Sequence, residues 1–160
     1  MDLINPSPVV HERRATRQRE RVTNARGREL IDNIEVYEHV RDIKDPEHPY
    51  SLEQLNVVSE AAIDVDDEQG SVRVTFTPTV EHCSMATLIG LCIRVKLLRV
   101  LPTRFKARLG RVDIVLAPGS HDSEAAVNKQ LGDKERVAAA LENPNLLEMV
   151  NACIAGAAPA

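Results

Sequence analysis

The stretch from Ser84 to Val100 is apolar around most of its circumference and is charged only at Arg94, Lys96 and Arg99. A helix of that composition is buried on several sides, so the rest of the chain has to be arranged around it. Its charges exclude a membrane span, which needs about 20 largely uncharged residues. Pro78 precedes the helix and Pro102 closes it. Upstream, Val72, Val74 and Phe76 alternate with Arg73 and Thr75, and downstream Val112, Ile114 and Leu116 alternate ahead of Pro118-Gly119. Strand, helix and strand in that order make a crossover unit, which predicts that the two strands run parallel.

The remaining elements attach to this unit. Asp32 is placed to N-cap a helix carrying Val36, Tyr37, Val40 and Ile43 and stopped by Asp45-Pro46. Pro46 to Pro49 is a stiff turn, and Ser51 with Gln54 has the spacing of a capping box over Leu52 and Leu55. A strand over 57–65 is predicted, joined to the one at Val72 by a hairpin from Asp66 to Gly70. The last forty residues read as three helices: Ser123 to Leu131, one capped by Asp133 after a break at Gly132, and one opening at Pro144. The expected fold class is α+β, a two-layer domain with a small mixed three-stranded sheet covered by helices.

Charge divides the chain. Residues 1–28 hold seven Arg against Asp2, Glu12 and Glu20, a surplus of +4, so the overall −4 leaves the remainder at −8. With almost no apolar periodicity, residues 1–30 read as a disordered, flexible Arg-rich arm, and residues 31–156 as the domain. No window has the pattern of a signal peptide. Aromatics are 2% of the chain and Trp is absent, so the core is aliphatic and aromatic stacking cannot dominate a binding site. From Arg94 to Arg111 there are seven basic residues and no acidic ones, either a solvated face or a contact for phosphates or an acidic partner. The net acidity of the domain and the scarcity of aromatics favour protein contact, and direct nucleic-acid binding is not expected.

Three widely spaced cysteines, Cys83, Cys92 and Cys153, argue against a disulfide framework and suit a reducing compartment. Cys83 stands in His82-Cys83-Ser84, where an extended segment enters the buried helix. Unpaired N–H groups and the helix dipole there favour an anion, so the thiol has the setting of a reactive or metal-binding thiolate, against the plainer reading of a small core filler. Cys92 and Cys153 lie among apolar neighbours and read as core. A resident cluster would need four thiolates or thiolates with histidines, and no Cys-x-x-Cys spacing is present. His121 follows the third strand, and parallel strands bring its loop toward Cys83. A thiol-dependent enzyme using Cys83 with His82 or His121 therefore remains an alternative.

Four stretches, DPEHPYSLEQLNVV at 45–58, FTPTVEHCSMATLIGL at 76–91, VKLLRVLPTRFK at 95–106 and NKQLGDKERVAAALEN at 128–143, span nearly all of the ordered domain. They resemble the eukaryotic family of cytosolic iron-sulfur assembly components (component 2 of the targeting complex), homologous to the bacterial metal-sulfur cluster assembly domain. The resemblance implies a non-enzymatic adaptor of the cytosolic iron-sulfur assembly targeting complex, acting in cytoplasm and nucleus. The partners it implies are a WD-repeat propeller, a HEAT-repeat adaptor and iron-sulfur apoprotein clients, with links to chromosome segregation. It places Cys83 on the family's reactive cysteine, in a His-Cys-Ser-x-x-x-Leu-x-Gly pattern seen here as His82, Cys83, Ser84, Leu88 and Gly90. His82, Ser84 and His121 are the supporting residues. No stably bound cofactor is expected; Cys83 would touch a cluster or a metal ion transiently. Exchange of a terminal helix about Gly132 would allow a homodimer. The stretch Ala107 to Arg111, the tail after Ala155 and the arm depart from the family pattern.

Overall fold

The computed structural model describes residues 9–12, 27, 29–79, 83–105 and 111–155. Most of the expected arm, the stretch 106–110 and the tail after Ala155 lie outside the described residues.

Helix α1, Asn33–Val40, starts where Asp32 accepts a hydrogen bond from Glu35 N at 3.0 Å. It buries Val36, Tyr37 and Val40. Strands β1, Ile63–Asp66, and β2, Ser71–Phe76, pair antiparallel from Ile63↔Val74 to Asp66↔Ser71 across the expected hairpin. Helix α2 runs Cys83–Val100, and β3, Arg111–Leu116, lies parallel to β2 in the register Ser71↔Arg111 to Phe76↔Leu116. The order β1-β2-β3 is the small mixed sheet expected of the crossover unit. Helices α3, Glu124–Gly132, α4, Lys134–Leu141, and α5, Pro144–Ala155, complete the chain. Asp133 caps α4 by accepting from Arg136 N at 3.1 Å.

Alternation along the strands sorts the side chains. Ile63, Val72, Val74, Phe76, Val112, Ile114 and Leu116 face the core, while Asp64, Asp66, Arg73 and Arg111 are exposed. Helix α2 packs on β3 and touches α1, α3 and α5, so it is enclosed as its composition requires.

Two expectations are corrected. Helix α1 ends at Val40, five residues before Asp45, because residues 41–45 turn their backbone groups to the segment 50–53: Leu52 N donates to Ile43 O at 2.8 Å, Glu53 N to Arg41 O at 3.1 Å and Asp45 N to Tyr50 O at 2.9 Å. Ile43 is still fully buried, in a loop. The strand expected over 57–65 is paired only from Ile63. Val57 and Val58 are buried without being strand, and a single 3-10 turn at Glu60–Ala62 intervenes, its Glu60 carbonyl held by Asn33 Nδ2 at 3.1 Å.

Candidate functional site

The parallel register puts the C-terminal ends of β2 and β3 side by side, and Ala117 N extends the pairing by donating to Phe76 O at 2.8 Å. Three loops leave this end of the sheet or reach it. The first follows β2, through Thr77, whose N–H donates to Val57 O, to Thr79 and the start of α2. The second follows β3 and carries His121. The third is the turn Asp45 to His48, tied to the first where Thr79 Oγ1 donates to Asp45 Oδ2 at 3.3 Å.

Helix α2 begins at Cys83, so this residue occupies the first helical position, where backbone N–H groups have no partner within the helix. Ser84 is exposed in the same turn, and that first turn holds no acidic residue. His82 and the Cys83 side chain lie outside the described residues.

His121 is carried on the turn that Gly119 makes possible at φ +75°, a conformation that suits a residue without a side chain. Its Nδ1 accepts from Ser123 N at 2.9 Å at the entry to α3. The neutral imidazole then carries its proton on Nε2, which is buried with no hydrogen-bond partner among the described residues. The sequence-predicted site thus has Cys83 at the mouth of α2 and His121 on the neighbouring loop, at the same end of the sheet.

A further group was not anticipated from sequence. Asp45, 5% exposed, accepts from Glu47 N at 2.8 Å and His48 N at 3.1 Å in addition to Thr79. Both carboxylate oxygens of Glu47 and Nε2 of His48 are buried without a partner among the described residues, although His48 is only 5% exposed. Buried polar atoms left unpaired are costly and mark places where something else can bind. The signal was present: Asp45, Glu47 and His48 are three titratable residues interleaved with Pro46 and Pro49, in a turn too stiff to redirect them.

Cys92 and Cys153, both read as core, are buried on the two helices α2 and α5, which pack together. Interaction with Cys153 and burial push the Cys92 thiol up, while interaction with Cys92 lowers Cys153 against burial and the Asp45 carboxylate. Among the described residues no group of three or more His, Cys, Asp or Glu side chains is arranged to hold a metal ion. The basic stretch is also less uniform than the sequence suggests. Arg94 is buried and donates to Val112 O at 2.9 Å, and Arg99 donates to Asn151 Oδ1 at 2.7 Å.

Residues 33–109 match the family described as iron-sulfur cluster assembly protein. The chain is 60% identical over 154 residues to Protein AE7 of Arabidopsis thaliana, covering 95% of each. It is 53% identical to cytosolic iron-sulfur assembly component 2B of Mus musculus, over 95% of this chain and 91% of that protein. To MIP18 family protein galla-2 of Drosophila melanogaster it is 60% identical, over 78% of this chain and 77% of that one.

Proposed function

The chain belongs to the iron-sulfur cluster assembly protein family, and from that premise we propose that it is a non-enzymatic adaptor that helps hand iron-sulfur clusters to cytosolic and nuclear apoproteins through Cys83. The observation that carries the reading is the position of Cys83 as the first residue of α2. A thiol there sits at the positive end of the helix dipole among unpaired N–H groups, which stabilises a thiolate.

The cluster is cargo. One thiolate cannot hold it, since a cluster takes four ligands, so the others come from donor and recipient and the contact with Cys83 is brief. His121 Nε2–H is a donor suited to the sulfur of a thiolate or of the cluster, with His82 and Ser84 as its expected companions beside Cys83. The thiol-enzyme alternative would require a histidine nitrogen free to take the Cys83 proton. With Nδ1 of His121 already accepting from Ser123 N, donation from Nε2 is the role this geometry favours.

The partners proposed are a WD-repeat propeller, a HEAT-repeat adaptor and client apoproteins. Affinity purification of the full chain from cells tests this. Recovery of a propeller, a HEAT-repeat protein and iron-sulfur apoproteins is expected. Recovery of none of them, together with turnover of a thiol-reactive substrate by the isolated chain, would replace the adaptor with the enzyme.

A further inference from the structure

The segment from β2 to α2 is pinned twice before it reaches Cys83. Thr77 N donates to Val57 O at 2.9 Å, and Thr79 Oγ1 donates to Asp45 Oδ2 at 3.3 Å. Pro78 stands between them with its φ fixed by the ring, so the two pins act on a stretch with little freedom of its own. Residues 80–82 then separate Thr79 from Cys83 at the start of α2.

The second pin is anchored in the interior. Asp45 is 5% exposed, and its Oδ1 takes the N–H groups of Glu47 and His48 at 2.8 Å and 3.1 Å, which fixes the turn through Pro46. Its own N–H donates to Tyr50 O at 2.9 Å, and that of the preceding Lys44 donates to Cys153 O in α5 at 3.1 Å. The carboxylate therefore cannot follow Thr79; Thr79 has to come to it. Asp45 is bonded on both oxygens, whereas the Glu47 carboxylate and His48 Nε2 of the same turn are buried without a partner among the described residues. The turn thus carries unfilled polar groups next to the segment that it holds.

We propose that Asp45 and Thr79 are positioning residues for Cys83. Their hydrogen bond, charge-assisted on the acceptor side, holds the entry to α2 so that the Cys83 thiol stays against the unpaired N–H groups of the first turn. Both act through the cysteine and are assigned no contact with the cargo. The inference rests on the reading of Cys83 as the cluster-handling thiol, and adds the residues that keep it in the state that reading requires. With the tie cut, the first turn frays, the thiol loses the N–H groups and the dipole, and its pKa returns toward the ordinary thiol value of about 8.5.

Asp45→Ala would release the Glu47 and His48 amides as well, so the test cuts the tie from the other side. Thr79→Val keeps the shape and removes the hydroxyl; Thr79→Ser keeps the hydroxyl and removes a methyl. The purified full chains, well below their melting temperatures, are treated with iodoacetamide over a series of pH values. The rate at Cys83 is read from the tryptic peptide 74–94, in which fragmentation separates Cys83 from Cys92. At neutral pH, Thr79→Val is expected to react at Cys83 about fivefold more slowly than wild type, with its pH midpoint moved up, and Thr79→Ser to stay within about twofold. A Thr79→Val profile that matches wild type would overturn the proposal. So would a Thr79→Ser profile as slow as that of Thr79→Val, because the hydroxyl would then not be what counts. Failure of the cluster-handling reading shows elsewhere, in the iron content of clients in Cys83→Ala cells, which this rate does not measure.

Discussion

Arg41 is the first of the large, fully buried side chains among the described residues, at 2% exposure, and its charge is met from two directions. Nε donates to the Glu53 carboxylate, Nη1 donates to Glu38 at 2.9 Å, and the guanidinium lies 5.5 Å from the centre of the Tyr37 ring. Glu53 is itself buried, so removing the arginine takes a countercharge from beside a carboxylate held out of water. Arg41→Ala is expected to cost about 3–5 kcal/mol in urea unfolding, and Arg41→Met with Glu53→Gln clearly less, because the second change also removes the buried carboxylate charge. His39 makes a pH-dependent contribution. Burial lowers its pKa from 6.5, opposed by Glu35 and Glu38 and assisted by Lys96. The folded chain therefore holds the neutral imidazole longer than the unfolded chain does, and stability that is full above the ordinary value is lost as the pH falls through and below it. Urea midpoints at about pH 8 and about pH 5 should differ more in wild type than in His39→Gln. Equal differences would show that His39 does not contribute.

Helix packing accounts for one glycine in the motif around Cys83. A Cβ at Gly90 would lie 2.6 Å and 2.9 Å from the two methyl carbons of Leu131, which is 1% exposed and has little room to move. Gly90→Ala gains about 1 kcal/mol of helix propensity but forces α2 and α3 apart, at a cost of about 1–3 kcal/mol. A net loss of about 1 kcal/mol in a thermal melt is expected, and the increment due to Gly90→Ala should disappear when it is measured in a Leu131→Ala background, where the space is open. Elements set by local pattern were legible in the sequence: α2 from its apolar circumference and flanking prolines, β2 and β3 from strict alternation, α1 and α4 from Asp32 and Asp133. The segment 41–62 was legible only at its capping box, where Ser51 N donates to Gln54 Oε1 at 3.0 Å and Gln54 N to Ser51 Oγ at 3.2 Å. The backbone partners of the rest are set by tertiary contacts, Ile43 with Leu52 and Val57 with Thr77, which leave no periodicity to read. The site divides in the same way. Cys83 at a helix start follows from local signals, whereas the Asp45 to Thr79 tie and the packing of α5 on α2 join residues far apart in the chain.

At the scale of the whole molecule, one aliphatic core holds α2 between the sheet and the surrounding helices, and the end of the sheet where α2 begins collects the chemistry. Cys83 opens α2 there, the loop to His121 leaves β3 beside it, and the Asp45 to His48 turn is hydrogen-bonded to Thr79. That concentration, in a chain belonging to an iron-sulfur assembly family, is what the proposed role of Cys83 rests on. Alanine at the first position of α2 keeps full helix propensity, so Cys83→Ala is expected to melt within a few degrees of wild type. The measurement that tests the central claim most directly is the iron content of recovered apoprotein clients, in cells carrying either wild type or Cys83→Ala at matched levels. The account predicts clients depleted of iron in the mutant while the adaptor itself remains folded. Clients fully loaded with iron in Cys83→Ala cells would contradict it.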